Sequence, residues 1–244
     1  RILMLKCAIF VDWDNLKQEI TYISNNKIYE KQLKTDGKYR FNYNDVEKLL
    51  FLIKKFLDPS CNEALYRIFF YTARCMPIEQ VKNVIKGKFG EDNYNLYESY
   101  LAYNQEKCER AFLKSQQFLD YLSRQDFVAL RLGTLKISGI SKDGEPVFNQ
   151  KQVDMLMGLD ISQISYNKLV DRVLVLSKDS DMKPALKTAR INGIQTVLCN
   201  LQEGFKPDND LLSHSDIVRR RSLISVVQEL DTKKDRKPTL ICNT

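Results

Sequence analysis

The chain has 244 residues, 28% of them charged and with a net charge of +7, a length that suits one large α/β domain with a real core. No apolar run approaches the roughly 20 residues needed to cross a bilayer. The opening Arg1-Ile2-Leu3-Met4 is too short for a signal peptide, so a cytoplasmic protein is expected. A single histidine, His214, and six cysteines without a Cys-x-x-Cys pair argue against triad, Cys-His, paired-histidine and zinc chemistry.

Residues 5–12 (LKCAIFVD) form an apolar strand ending at Asp12, and Asn15 to Ile20 continue as a helix. Residues 27–43 carry Asp36-Gly37 between KIYEKQL and KYRFNY, which predicts a hairpin-like insertion. Asn44 or Asp45 caps the helix VEKLLFLIKKFL, which stops at Asp58-Pro59. Residues 64–71 (ALYRIFFY) read as a buried parallel strand, and 78–123 as a long, mostly helical stretch. A strand over 127–132 follows, then a small hairpin from 134–140 and 146–148 around Asp143-Gly144, then a helix over 150–161.

Residues 172–177 (RVLVLS) are the clearest central strand. A helix over 181–192 ends at Gly193, a strand spans 196–199, and a last helix is expected over 215–230. The tail 231–244 is rich in lysine. Strands alternating with helices predict a three-layer α/β sandwich with a central, mainly parallel sheet, a C-terminal helix and a tail. One domain is expected over residues 1–220, with the helix end and basic tail over 221–244.

With histidine chemistry set aside, any hydrolysis by this chain has to rest on carboxylates, and carboxylates at a phosphate centre usually mean hard divalent metals. Asp12 ends one apolar strand, and Asp179 and Asp181 lie just beyond another. In a parallel sheet those ends share one edge, where open α/β folds place ligands. Asp154 lies in the helix KQVDMLMGLD, whose apolar face should pack on the sheet; a charge there is costly unless it is paired or metal-bound. Each acid also has a simpler role: Asp181 before Met182-Lys183-Pro184 as a helix cap, Asp179 in a turn, Asp12 and Asn15 as loop and cap residues. The positive charge adds weight to a nucleic-acid partner only beside such a site.

Taken together, IFVDWDN (9–15), KQVDMLMGLD (151–160) and VLVLSKDSDMKP (173–184) resemble the NYN domain, and more narrowly its LabA-like branch within the PIN-like nuclease superfamily. RIFFYTARCMP, LRLGTLKISG, ARINGIQTVLC and DLLSHSDIV are similar to the family's second strand, its strand and hairpin, its closing strand and its terminal helix. The resemblance spans roughly residues 5–220. It implies a PIN-like fold and a metal-dependent ribonuclease using Mg²⁺ or Mn²⁺, with RNA as partner. Asp12, Asp154, Asp179 and Asp181 match the family's acidic positions, and Asn15 its asparagine after strand one. Asp160 matches a recurring acid, but lies about 120° around the helix from Asp154.

Lys178 departs from the small or acidic residue expected there: it either touches substrate phosphate or pairs with a neighbouring aspartate. Asp14 is an extra acid, Ser177 opens the SxDxD motif, and Lys151, three residues before Asp154 and so on nearly the same helix face, is a further candidate for a phosphate contact. In the insertion, Tyr39, Phe41 and Tyr43 either stack bases or form one packed strand face. A catalytically silent RNA-binding or scaffold domain is the principal alternative, and a HAD-like phosphatase a weaker one resting on Asp12-Trp13-Asp14. A homo-oligomer is compatible with the sequence.

Overall fold

Short β-branched and aromatic runs, each bounded by polar or turn residues, build the centre of the molecule. The computed structural model describes residues 4–35 and 38–235. Its elements are β1 (Leu5–Asp12), α1 (Trp13–Asn25), α2 (Glu30–Leu33), β2 (Lys34–Thr35), β3 (Lys38–Tyr39), α3 (Val46–Lys54), β4 (Glu63–Ala73), α4 (Ile78–Ser123), β5 (Val128–Ile140), β6 (Pro146–Lys151), α5 (Val153–Tyr166), β7 (Arg172–Leu176), α6 (Lys183–Ile191), β8 (Gln195–Leu201), α7 (Asn209–Ser213), β9 (Ile217–Arg221) and α8 (Leu223–Asp235).

Seven strands make one sheet in the order β6-β5-β4-β1-β7-β8-β9. Only the β5–β6 pairing is antiparallel. The central strands are buried on both faces, which is why their sequences run apolar without alternation. Ile9, Val11, Leu174 and Leu176 meet α1 and α3 in one core; Phe10, Val173 and Val175 meet Met157, Ile161 and Leu186 of α5 and α6 in the other. Each such side chain contributes about 1.5–3 kcal/mol by leaving water. Helices on both faces of the sheet give the expected three layers. No helix among the described residues is long and apolar enough to cross a membrane.

From β1 the sheet is built outward through β4 and β5; α5 then brings the chain back, and β7, β8 and β9 extend the other side. The direction of growth reverses between β1 and β7, which opens a crevice beyond their carboxyl ends. Val11 is registered against Leu176, so Asp12 and Ser177 come next to each other at that opening.

Several segments differ from the sequence reading. KIYEKQL is mainly helical, a 3-10 turn at Lys27–Tyr29 followed by α2, because the Asn26 side chain accepts from the Ile28 N–H and caps the turn. Only the two-residue strands β2 and β3 pair, and Asp36-Gly37 lies outside the described residues. The strands expected at 127–132 and 134–140 are one strand: β5 pairs with β4 through Gly133, then with β6 from Thr134. Gln150 and Lys151 belong to β6, so Lys151 does not share a helical face with Asp154; α5 begins only after Gln152, whose φ is +72°.

The helix expected over 215–230 begins late. Its first residues form β9 beside β8, and α8 starts after Ser222, whose hydroxyl accepts from the Ser225 N–H. The lysine-rich tail beyond 235 lies outside the described residues. β9 is anchored by an ion network at the amino edge of the sheet: buried Glu63 accepts from Arg219 at 2.7 and 2.8 Å, from Arg172 at 2.5 Å and from the Asp58 N–H at 2.7 Å. Long α4 turns sharply at Gly90, and its two parts enclose Ile137 of β5 in a third small core.

Candidate active site

Asp12 is the last residue of β1 and also the N-cap of α1, so strand and helix together fix its carboxylate. Oδ1 accepts from the Asn15 N–H at 3.1 Å, and Oδ2 from Asn15 Nδ2 at 2.5 Å. The Ser177 hydroxyl, at the end of β7, donates to Oδ2 at 3.3 Å. Ser177 in turn accepts from the Asp179 N–H at 3.2 Å, and Asp179 accepts from the Asp181 N–H at 2.9 Å. A continuous hydrogen-bonded path therefore joins Asp12 to Asp179 and Asp181 across the crevice. Asp179, rather than Asp181, is the cap, and what it caps is a 3-10 turn at Ser180–Met182.

Asp154 enters from the first turn of α5. The expectation that it occupies the apolar face is corrected: Val153, Met157, Ile161 and Ile164 form that face, and Asp154, about 100° away, is exposed. Its carboxyl is still pushed up, by desolvation first and then by Asp179 and Asp181. Asp12 is only 3% exposed, and burial pushes its carboxyl up to about 6 against the hydrogen bonds from Asn15; Asp154 and Asp14 add to the rise. Half-buried Asp14 is also raised, by burial, with Lys17 opposing. Asp154 is thus within electrostatic reach of Asp12, Asp179 and Asp181, the four acids being delivered by three separate elements.

The remaining sequence candidates are dispersed. Asp160 accepts from Tyr71 Oη at 2.7 Å and from Arg131 Nε at 2.8 Å, a polar tie between α5 and the sheet. Lys151 is exposed at the end of β6. Lys178 does not pair with an aspartate: its Nζ lies 2.5 Å from Glu19 Oε1 of α1. Glu19 is buried and was missed, since helix spacing gives no sign of a partner 159 residues away. Of the insertion's aromatics, Phe41 and Tyr43 pack on the main core, Tyr43 edge-on against Trp13.

A groove of about 470 Å³ runs between α5 and α6, with Asp154 and Asp181 at its walls and Gly158, Met182 and Ala185 among its lining. A larger groove of about 710 Å³, lined by Lys187, Arg190 and His214, lies at the opposite edge of the sheet, far from the acids in the topology. Among the described residues no three Asp, Glu, His or Cys side chains converge to hold one ion together. The donor chemistry nonetheless suits Mg²⁺ or Mn²⁺, which take one or two carboxylates and complete their shells with water and phosphate oxygens. Carboxyls raised by burial, and further by neighbouring acids, are stabilised in their charged form by such a cation.

The NYN domain profile matches residues 6–216, from β1 to the edge of β9. The chain belongs to the NYN domain family. NYN domains fall in the PIN-like nuclease superfamily, and the doubly wound sheet with acids at its switch point agrees with that membership. No curated protein and no solved structure matches the chain significantly.

Proposed function

We propose that this NYN domain is a metal-dependent ribonuclease, an endonuclease of the LabA-like branch acting in the cytoplasm. The observation that carries the reading is the meeting of Asp12 with the Ser177–Asp181 loop at the β1–β7 switch point, with Asp154 within electrostatic reach of both. One or two of Asp154, Asp179 and Asp181 would hold the cation, with water and phosphate oxygens filling its shell, and Asp12 would complete the acidic site. When bound, Mg²⁺ or Mn²⁺ supplies an acidified water and neutralises charge gathering on the phosphate. Asn15 keeps Asp12 oriented and ionisable, Ser177 ties it to the Asp179 loop, and exposed Lys151 contacts substrate phosphate. Because Lys178 is held by Glu19, its ammonium has no part in this assignment.

A second reading, a catalytically silent RNA-binding domain, draws on one observation. Both Asp12 oxygens are already engaged by Asn15 and Ser177. A cleavage assay on single-stranded RNA, structured RNA and DNA with Mg²⁺, Mn²⁺ or EDTA separates the two. Metal-dependent RNA cleavage lost in Asp154→Asn and Asp179→Asn, with the fold retained, supports the nuclease. RNA binding that survives EDTA without any cleavage supports the silent domain, and equal cleavage by wild type and both variants removes the aspartate site altogether.

A further inference from the structure

Lys178 sits between Ser177 and Asp179, so whatever fixes it fixes the acidic loop. Its backbone N–H reaches Asn15 Oδ1 at 3.4 Å. Its side chain turns the other way, donating to Glu19 Oε1 at 2.5 Å and to the Phe205 carbonyl at 3.1 Å. The ammonium also lies 4.7 Å from the centre of the Phe205 ring, and that ring packs on Tyr22 of α1 at 4.3 Å. Three elements therefore meet at one ammonium: α1, the loop after β7, and the turn after β8.

Glu19 has no room to leave. It is 3% exposed, and a Cβ added to Gly204 would stand 1.9 Å from its Oε1, so the turn after β8 presses its bare backbone on the carboxylate. A buried carboxylate needs a partner, and Lys178 is the charge that supplies it. The cavity beside the pair, lined by Asn15, Glu19, Ser177 and Asn200, measures about 10 Å³. That is the size of one water, so no nucleotide reaches the ammonium through it.

We propose that Glu19 is a positioning residue of the acidic site: with Lys178 it forms a buried clamp that sets the Asp179–Asp181 loop against Asp12 and Asn15. The lysine between the serine and first aspartate of the SxDxD motif is thus a structural strut, and its departure from the family pattern has its counterpart in Glu19. Asp179 and Asp181 have few other anchors, since their own hydrogen bonds are local to the turn. The catalytic part of this inference rests on the proposed nuclease function; the clamp itself does not.

The test uses the full chain as Glu19→Gln, Lys178→Met and the double variant. In metal-free protein, amide hydrogen exchange over 178–182 should rise about tenfold in each single variant, because the loop opens more readily. In RNA cleavage, kcat should fall about tenfold or more while KM for RNA holds, as expected when reacting groups are misplaced and substrate binding is intact. The double variant should be no worse than either single one, because both remove the same interaction. It also leaves no unpaired buried charge, so it remains a folded reference if a single variant does not fold.

A raised KM with unchanged kcat in Lys178→Met would instead make Lys178 a phosphate contact and overturn the clamp. So would unchanged exchange in the variants that fold, or losses in kcat that multiply in the double variant. If wild type cleaves no RNA with any metal, the nuclease assignment fails separately, and the exchange result still decides the clamp.

Discussion

Asn15 donates twice to Asp12, once from its backbone N–H to Oδ1 and once from its side-chain amide to Oδ2. Both bonds favour the carboxylate and work against the burial that pushes Asp12 up to about 6. Asn15→Ala removes the side-chain bond and leaves burial in place. The acid limb of the pH–rate profile should then move upward by about one unit, the size expected for one hydrogen bond to a charged group. A limb that stays where it was would show that Asp12 is not the titrating group.

The same raised carboxyl makes a stability prediction for the metal-free protein. Between the ordinary value of 3.8 and about 6, folded Asp12 holds its proton while the unfolded chain has released it. Stability from this group therefore declines as pH rises through that window, and the ionised, destabilising form is fully present at pH 7. Asp12→Asn should stabilise the metal-free fold at pH 7 by on the order of 1–3 kcal/mol. Urea unfolding at pH 7 and pH 5 checks this: the advantage should shrink at the lower pH.

A cation that compensates the burial and the like-charge repulsion raising Asp12 and Asp154 should stabilise the fold. At a hundred times its dissociation constant, Mg²⁺ or Mn²⁺ adds about 2.7 kcal/mol. Thermal melts should rise with either metal and fall back with EDTA. Asp154→Asn and Asp179→Asn should abolish most of the rise; a full rise in both variants would place the metal elsewhere.

The sheet centre was legible because β1 and β7 are apolar without alternation, β1 ending in Asp12 and β7 being followed three residues later by Asp179. Their shared edge followed from parallel topology, and Asp12, Asp179 and Asp181 with it. What escaped the sequence depends on partners far along the chain. β9 looked like the start of a helix because IVRRR is polar at three of five positions, yet Arg219 is buried by Glu63, 156 residues earlier. Lys178 looked like a phosphate contact or the partner of a neighbouring aspartate because Glu19 is remote in sequence. Asp154 was placed on the wrong face because Met155 and Leu159 make the helix look apolar all round, whereas both are exposed and the buried stripe runs through Val153, Met157 and Ile161.

The Glu63 network allows a stability effect to be separated from a site effect. Burial alone would raise the Glu63 carboxyl, but hydrogen bonds from Arg219, the Asp58 N–H and Arg172 hold it below the ordinary range. Its contribution is present at neutral pH and lost as pH falls through that depressed value. Glu63→Ala leaves buried Arg219 and half-buried Arg172 without their carboxylate partner and should cost about 3–5 kcal/mol. Because the network lies at the edge opposite the acids, kcat per folded molecule should be unchanged below the melting temperature. A proportionate loss of kcat in the folded variant would contradict that separation.

Gly133 marks the point where β5 leaves β4 and meets the beginning of α5. A Cβ there would stand 2.6 Å from Val153 Cγ2 and 2.7 Å from the Lys151 carbonyl oxygen. The carbonyl is backbone, so relief requires the Lys151–Val153 junction to move, and Asp154 is the next residue. Gly133→Ala should destabilise by about 1–3 kcal/mol through overpacking. It should also lower kcat by up to about a hundredfold through displacement of Asp154. Gly87→Ala is the matched control: it lies within helical α4 with nothing near its Cβ position, and should stabilise by about 0.5–1 kcal/mol with kcat unchanged. Thermal melts and single-turnover cleavage on both variants read the two effects together. Wild-type cleavage in a folded Gly133→Ala protein would mean that the position of Asp154 is not limiting.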